Sequence, residues 1–257
     1  MTSIALLLIA GLANGAPAGP GNPLPPPALV GTWDVVRVAV DGEDQLHWQY
    51  HPDDPRLLGR TLIVTPERVQ FEHGRRLGCK QSSWTPRKTT WGVLFAKGFP
   101  RPAMGGRSPT PLPEDFGVRV ARKETVMVYS LCTESTGNSF AAGHWAALMG
   151  EDLALHYDNQ VLLVLRQRPV TARPVASFSC AKAATTSERS ICERFELASL
   201  DRSVAQAFRE ALERSPEKQA YLRQSEKEWL SKRDLCEARI DCLYDELWAR
   251  VDELTQE

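Results

Sequence analysis

Four of the six cysteines fall in the last third of the chain as two close pairs, Cys180 with Cys192 and Cys236 with Cys242, inside segments patterned for helix. On one continuous helix, residues six apart rise about 9 Å along the axis. A disulfide spans no more than roughly 7 Å between Cα atoms. If Cys236 and Cys242 are bonded, the chain must break between them, most simply around Arg239-Ile240-Asp241. A Cys180–Cys192 bond would tie the preceding arm onto the first turns of the first helix. Each clip closes a short loop and is worth about 2–3 kcal/mol, useful to a unit too small for a large core.

From Leu197, the residues Leu200, Val204, Phe208, Ala211 and Leu212 follow the three-and-four spacing of one helix face. Thr185 followed by Glu188 is a capping-box signature for the start. Ser215-Pro216 ends this helix and opens a second, with Ser215 as cap and Pro216 at the first helical position. The second stripe runs through Leu222, Ser225, Trp229, Arg233 and Cys236, and a third through Leu243, Leu247, Val251 and Leu254. The spacing predicts a helical hairpin or three-helix unit.

The same residues read Phe178-x-Cys180-Ala-Lys-Ala, Glu188-x-x-Ile-Cys192, Leu197-Ala-x-Leu-Asp201, Trp229-Leu-x-x-Arg233-Asp-x-Cys236 and Cys242-Leu243. This order resembles the LprI-type domain of bacterial envelope proteins, a family named for lysozyme inhibition, over roughly residues 177–254. Glu226 stands in place of the family's glutamine, and Leu247 in place of an aromatic, with Trp248 one position on. The resemblance implies a disulfide-clipped helical fold and a protein-binding role, with lysozyme or another basic envelope or host protein as partner. An inhibitor of this kind need only occupy the lysozyme cleft.

Met1 to Gly15 carries the apolar run Ile4 to Leu12 and then Ala13-Asn14-Gly15, the pattern of a signal peptide cleaved after Gly15. The run is too short for a bilayer span, no cysteine near it can carry a lipid, and no later stretch is a membrane-span candidate. An even cysteine count fits an oxidising compartment. The periplasm is the expected location, secretion the alternative. With a net charge of −1 and no dense basic run, nucleic acid is not an expected partner. From Ser177 onward there are 13 Lys/Arg against 17 Asp/Glu, so the helical unit is acidic while the preceding region is weakly basic.

Residues 16–28 are rich in proline and read as an extended tether. Beyond them, Leu29 to Val40 reads as a first strand, with Trp33 and Val35 on one face and Val36, Val38 and Val40 on the other. Further strand candidates are 61–64, 69–72, 126–131, 144–148, 153–157 and 161–165, with Asp158-Asn159-Gln160 as a tight turn and almost no helical periodicity. This predicts an antiparallel barrel or sandwich. Gly31-x-Trp33 on the first strand and Leu163-Val-Leu-Arg166 on the last are similar to lipocalin-like barrels, in which an arginine, here Arg166 or Arg168, packs over the tryptophan. That resemblance implies a mouth able to take a small apolar ligand, and the alternative function is binding of a small ligand or cell-wall fragment by the barrel, with the helical unit as docking module. Trp84, Trp91 and Trp145 suggest an aromatic cluster, residues from about Lys97 to Phe116 a long loop, and Cys79 with Cys132 the remaining disulfide candidates.

The expected organisation is α+β and multidomain: a lipocalin-like β-barrel over 29–168, a linker over 169–176, and the helical unit over 177–257. No Gly-x-Ser-x-Gly elbow or phosphate loop is present, and His47, His51, His73, His144 and His156 show no metal-ligand spacing. No enzyme activity, metal or cofactor is expected. For a binding face on the helices, the candidates are Trp229, Arg233, Asp234, Glu226 and Asp201.

Overall fold

The computed structural model describes residues 24–43, 49–66, 69–73, 75–79, 83–101, 110–131, 144–158 and 160–256. The expected leader and a Cys79–Cys132 pairing, which needs Cys132, lie outside them. Nine strands are described: β1 (Gly31–Val40), β2 (Thr61–Val64), β3 (Val69–His73), β4 (Arg75–Cys79), β5 (Ser83–Thr90), β6 (Thr125–Ser130), β7 (Trp145–Met149), β8 (Asp152–Asp158) and β9 (Val161–Gln167). They form one antiparallel sheet in the order β4-β3-β2-β1-β9-β8-β7-β6-β5. Except for β4 and β5, strands consecutive in sequence pair with one another, and the first strand pairs with the last. The meander closes through β1 and β9 but leaves β4 and β5 as edges among the described residues, so it is a curled half-barrel.

Alternation along β1 was expected to place Val38 and Val40 opposite Trp33 and Val35. The structure corrects this. The β1–β9 register runs Val35↔Leu165 and then Arg37↔Val164, so Val36 is an extra residue. Such a bulge shifts the side-chain phase by one. Val38 and Val40 consequently join Trp33 and Val35 in one buried cluster, while Val36 is exposed. That cluster gathers residues from β1–β3, β5 and β7–β9, which makes its face the inner face of the curl. Tyr50 and Leu57, from the chain between β1 and β2, pack into it as well, with Tyr50 edge-on to Tyr157 at 5.8 Å.

The other face is covered by α1 (Trp91–Gly98), a helix the sequence reading did not anticipate. The Thr90 side chain caps it by accepting a hydrogen bond from the Val93 N–H. Trp91, Leu94 and Phe95 pack with Phe99 and Phe116 against Val126, Val128, Trp145 and Leu162. The expected tryptophan cluster is therefore split: Trp91 and Trp145 share this layer, whereas Trp84 lies on the inner face. Both ends of the expected long loop are also fixed. Phe99 and Phe116 meet at 4.3 Å, and Arg101 bridges Asp41 and Asp115 at 2.6 Å to each.

Neither candidate arginine packs over Trp33. The Trp33 indole N–H donates to the Leu29 carbonyl at 3.0 Å. Arg166 pairs with Asp152 at 2.9 Å, and Arg168 binds Asp34 and Thr61 and lies 4.1 Å over the Phe195 ring. Asp34 alternates with Trp33 along β1, so Arg168 reaches the opposite face, where the helices sit.

The helical unit comprises α2 (Thr186–Glu193), α3 (Phe195–Arg214), α4 (Gln219–Asp234) and α5 (Ile240–Gln256). The capping box forms as read: Thr185 accepts from the Glu188 N–H, and Glu188 accepts from the Thr185 N–H. The first helical stretch is divided at Arg194, whose backbone is extended. Pro216 opens a 3-10 turn, Pro216–Lys218, so α4 starts later than expected. The core takes Leu197, Leu200, Val204, Leu222, Leu243, Leu247, Val251 and Leu254. Disulfides join Cys180 to Cys192 and Cys236 to Cys242, with Cα separations of 5.7 and 5.5 Å. The chain breaks at residues 235–239, slightly ahead of the expected position, and this brings the second pair into range.

Candidate functional site

The five residues named for a binding face are brought together, but largely in the interior. Trp229 is buried, with the guanidinium groups of Arg233 and Arg250 at 5.7 and 5.8 Å from its ring. Arg233 donates to Asp234 at 2.7 Å. Arg250, which the sequence reading left out of the site, is 2% exposed and donates to Glu226 at 2.9 Å, to Ser225 at 3.0 Å and to Glu253 at 2.9 Å. Burial pushes the Glu226 carboxyl up against the pull of Arg250. Asp201 accepts from the Ser177 backbone N–H at 2.6 Å, and burial pushes its carboxyl up too. Trp229, Arg233 and Asp201 thus brace the inside of the unit, and of the five only Glu226 and Asp234 retain appreciable exposure.

The outward feature is the corner between α4 and α5. Leu235 is 74% exposed directly beside buried Cys236, and Glu237 takes a left-handed backbone conformation, φ 52°. A non-glycine residue there is strained unless its surroundings hold it. Several contacts do: the Cys236–Cys242 bond, the Ser187 hydroxyl donating to the Asp234 and Glu237 carbonyls at 3.3 and 3.1 Å, and Arg239 donating to the Leu235 and Cys236 carbonyls at 2.9 and 3.2 Å. A fixed turn therefore presents an apolar side chain, flanked by exposed Glu237, Arg239 and Asp241.

A second feature lies where α3 meets the sheet. Gly59 adopts φ 75°, and a Cβ there would stand 2.5 Å from the Ser199 hydroxyl. That hydroxyl donates to the Gly59 carbonyl at 2.7 Å, and Gln206 donates to the Asp53 carbonyl at 2.9 Å. Arg60 is 3% exposed and donates to the Ser199 and Ser203 hydroxyls at 3.2 and 2.8 Å, while its Nε–H has no partner. Burial pushes its pKa down to about 10. Beside it is a cleft of about 470 Å³, lined by Val36, Gly59, Ser177, Arg202, Gln206 and Arg209 among others.

On the α1-covered face, His156 stacks on Trp145 at 5.6 Å and donates from Nε2 to the Gly98 carbonyl at 2.7 Å, leaving Nδ1 unpartnered. Burial, with His144 adjacent, pushes its pKa down to about 4. A depressed histidine stays neutral when folded, so its contribution is complete above the ordinary value near 6.5 and is lost as pH falls toward 4. We expect up to about 3 kcal/mol of stability to be lost over that interval. Glu72, Asp158, Asp201 and Glu226, all raised by burial, act in the opposite sense. His156→Gln should therefore be compared with the parent by urea unfolding at pH 7 and 4.5. The variant should show the smaller acid loss; parallel losses would contradict the assignment.

Among the described residues no group of three or more His, Cys, Asp or Glu is arranged to hold a metal, and no helix is long and apolar enough to cross a membrane. Comparison with protein-family models, with curated proteins and with solved structures finds no match to this chain.

Proposed function

We propose that this chain is an exported envelope protein, periplasmic or secreted, whose helical unit binds a protein partner, with inhibition of lysozyme-type glycoside hydrolases as the sharpest form of that role. The observation that carries it is the pinned corner at Leu235, an apolar side chain 74% exposed on a turn held by a disulfide. A side chain already fixed in its presented position loses little freedom on binding. The excess of carboxylates from Ser177 onward would steer a basic enzyme toward the unit. Once docked, Leu235 would fill the substrate cleft, with Arg239 beside it to meet the carboxylate pair such enzymes use. The LprI-type sequence order supports the same reading, and the lipocalin-like half-barrel would serve as the platform that holds the unit.

Suspended bacterial walls treated with lysozyme, with and without the purified oxidised chain, provide the test. Protection should rise with dose and weaken with salt. Leu235→Asp, at an exposed position, should keep the fold and lose at least about tenfold in potency, or about 1.4 kcal/mol. Absence of protection against several lysozyme types, or equal protection by the variant, would remove this function.

A further inference from the structure

The cleft between the sheet and α3 has no part in the docking role and carries its own chemistry. We propose that it binds a small ligand through an anionic group, phosphate or carboxylate, held by Arg202 and Arg209, with the buried Arg60 behind the serines of the cleft wall.

Ser199, Arg202, Ser203, Gln206 and Arg209 recur at three-and-four spacing, so α3 turns one polar face toward the sheet. The cleft wall includes two arginines and no carboxylate, and about 470 Å³ is within the range of small-molecule sites. Arg209 makes no hydrogen bond or ion pair among the described residues, and Arg202 uses Nη1 on the Val175 and Ala198 carbonyls. Arg202 Nη2 lies 3.8 Å from the position a Gly59 Cβ would take, at the cleft wall.

Arg60 supplies the independent observation. A buried guanidinium is ordinarily matched by a carboxylate, yet its contacts are two serine hydroxyls, the Leu58 carbonyl and the Trp248 ring at 6.0 Å, all neutral. The acids nearest the cleft have partners of their own: Asp34 is bound to Arg168, Asp201 accepts from the Ser177 backbone N–H, and Glu210 faces Gln206, His51 and Arg214. An anion in the cleft would gain charge-assisted hydrogen bonds from the two arginines of its wall.

Thermal unfolding and titration calorimetry of the full chain, with inorganic phosphate in one arm and glucuronate in the other, test this against chloride at matched ionic strength. At least one anion should raise the midpoint saturably, and Arg202→Gln/Arg209→Gln should weaken that anion at least tenfold with unchanged circular dichroism. Response to phosphate alone identifies a phosphoryl ligand, and response to glucuronate alone a sugar carboxylate. An equal effect of chloride, binding of neither anion, or full affinity in the variant would overturn the proposal.

Discussion

Replacing Gly59 with alanine is expected to destabilise the folded chain by about 2–5 kcal/mol, combining left-handed backbone strain with overpacking. Gly59 sits at φ 75°, and its missing Cβ would meet the Ser199 hydroxyl at 2.5 Å. Ser199 cannot simply rotate away. Its hydroxyl donates to the Gly59 carbonyl and accepts from Arg60, so moving it also strips a partner from a buried cation. Urea unfolding of Gly59→Ala alone and combined with Ser199→Ala separates the two contributions. The double variant should recover the steric part and keep the strain of about 1–2 kcal/mol. Near-parental stability of the single variant would mean that α3 does not approach the sheet this closely.

Arg250→Ala is expected to cost about 3–5 kcal/mol at neutral pH, the usual penalty for breaking a buried ion pair from one side. The substitution removes bonds to Glu226, Ser225 and Glu253 and uncovers one face of Trp229. Glu226 is then left without its cation in a site whose burial already favours the protonated carboxyl. The deficit should shrink as pH falls, since a neutral Glu226 no longer needs Arg250. Chemical unfolding of parent and variant at pH 7 and 5 measures it, and a deficit that grows in acid would contradict this view of the pair.

What was legible in the sequence follows from how local each signal is. The helix stripes ending at Leu254 and the Thr185–Glu188 capping box depend on residues within a few turns of one another, and both are present; the sequence offered Cys180/Cys192 and Cys236/Cys242 as close pairs without selecting a connectivity, and the structure joins each pair. Seven strands were readable because apolar, β-branched or aromatic residues recur along them. β4 and β5 were not, since Arg75-Arg-Leu-Gly-Cys79 opens on two charged residues and carries a glycine, and Pro86 interrupts Ser83–Thr90. The eight residues of α1 are too few to show a period. The bulge at Val36 left no mark in composition, yet it reversed the facing of Val38 and Val40.

Contacts between distant segments were beyond local pattern. Arg60 meets Ser199 and Ser203 across 139 and 143 residues, and neither side carries a motif announcing the other. The candidate binding residues were found as a group because Trp229, Arg233 and Glu226 share a helical neighbourhood, but helical spacing alone does not say which side faces the core. Arg250 was missed for that reason, and so was the exposed Leu235, whose presentation depends on the turn geometry around Glu237.

Recognition of a lysozyme-type protein by the disulfide-pinned corner at Leu235, as proposed above, is tested by direct calorimetric titration of lysozyme into the oxidised full chain at two ionic strengths. Saturable binding near one to one, weaker at high salt and much reduced by Leu235→Asp, is the predicted result. No heat of binding at either ionic strength, or an isotherm unchanged by Leu235→Asp, would contradict it.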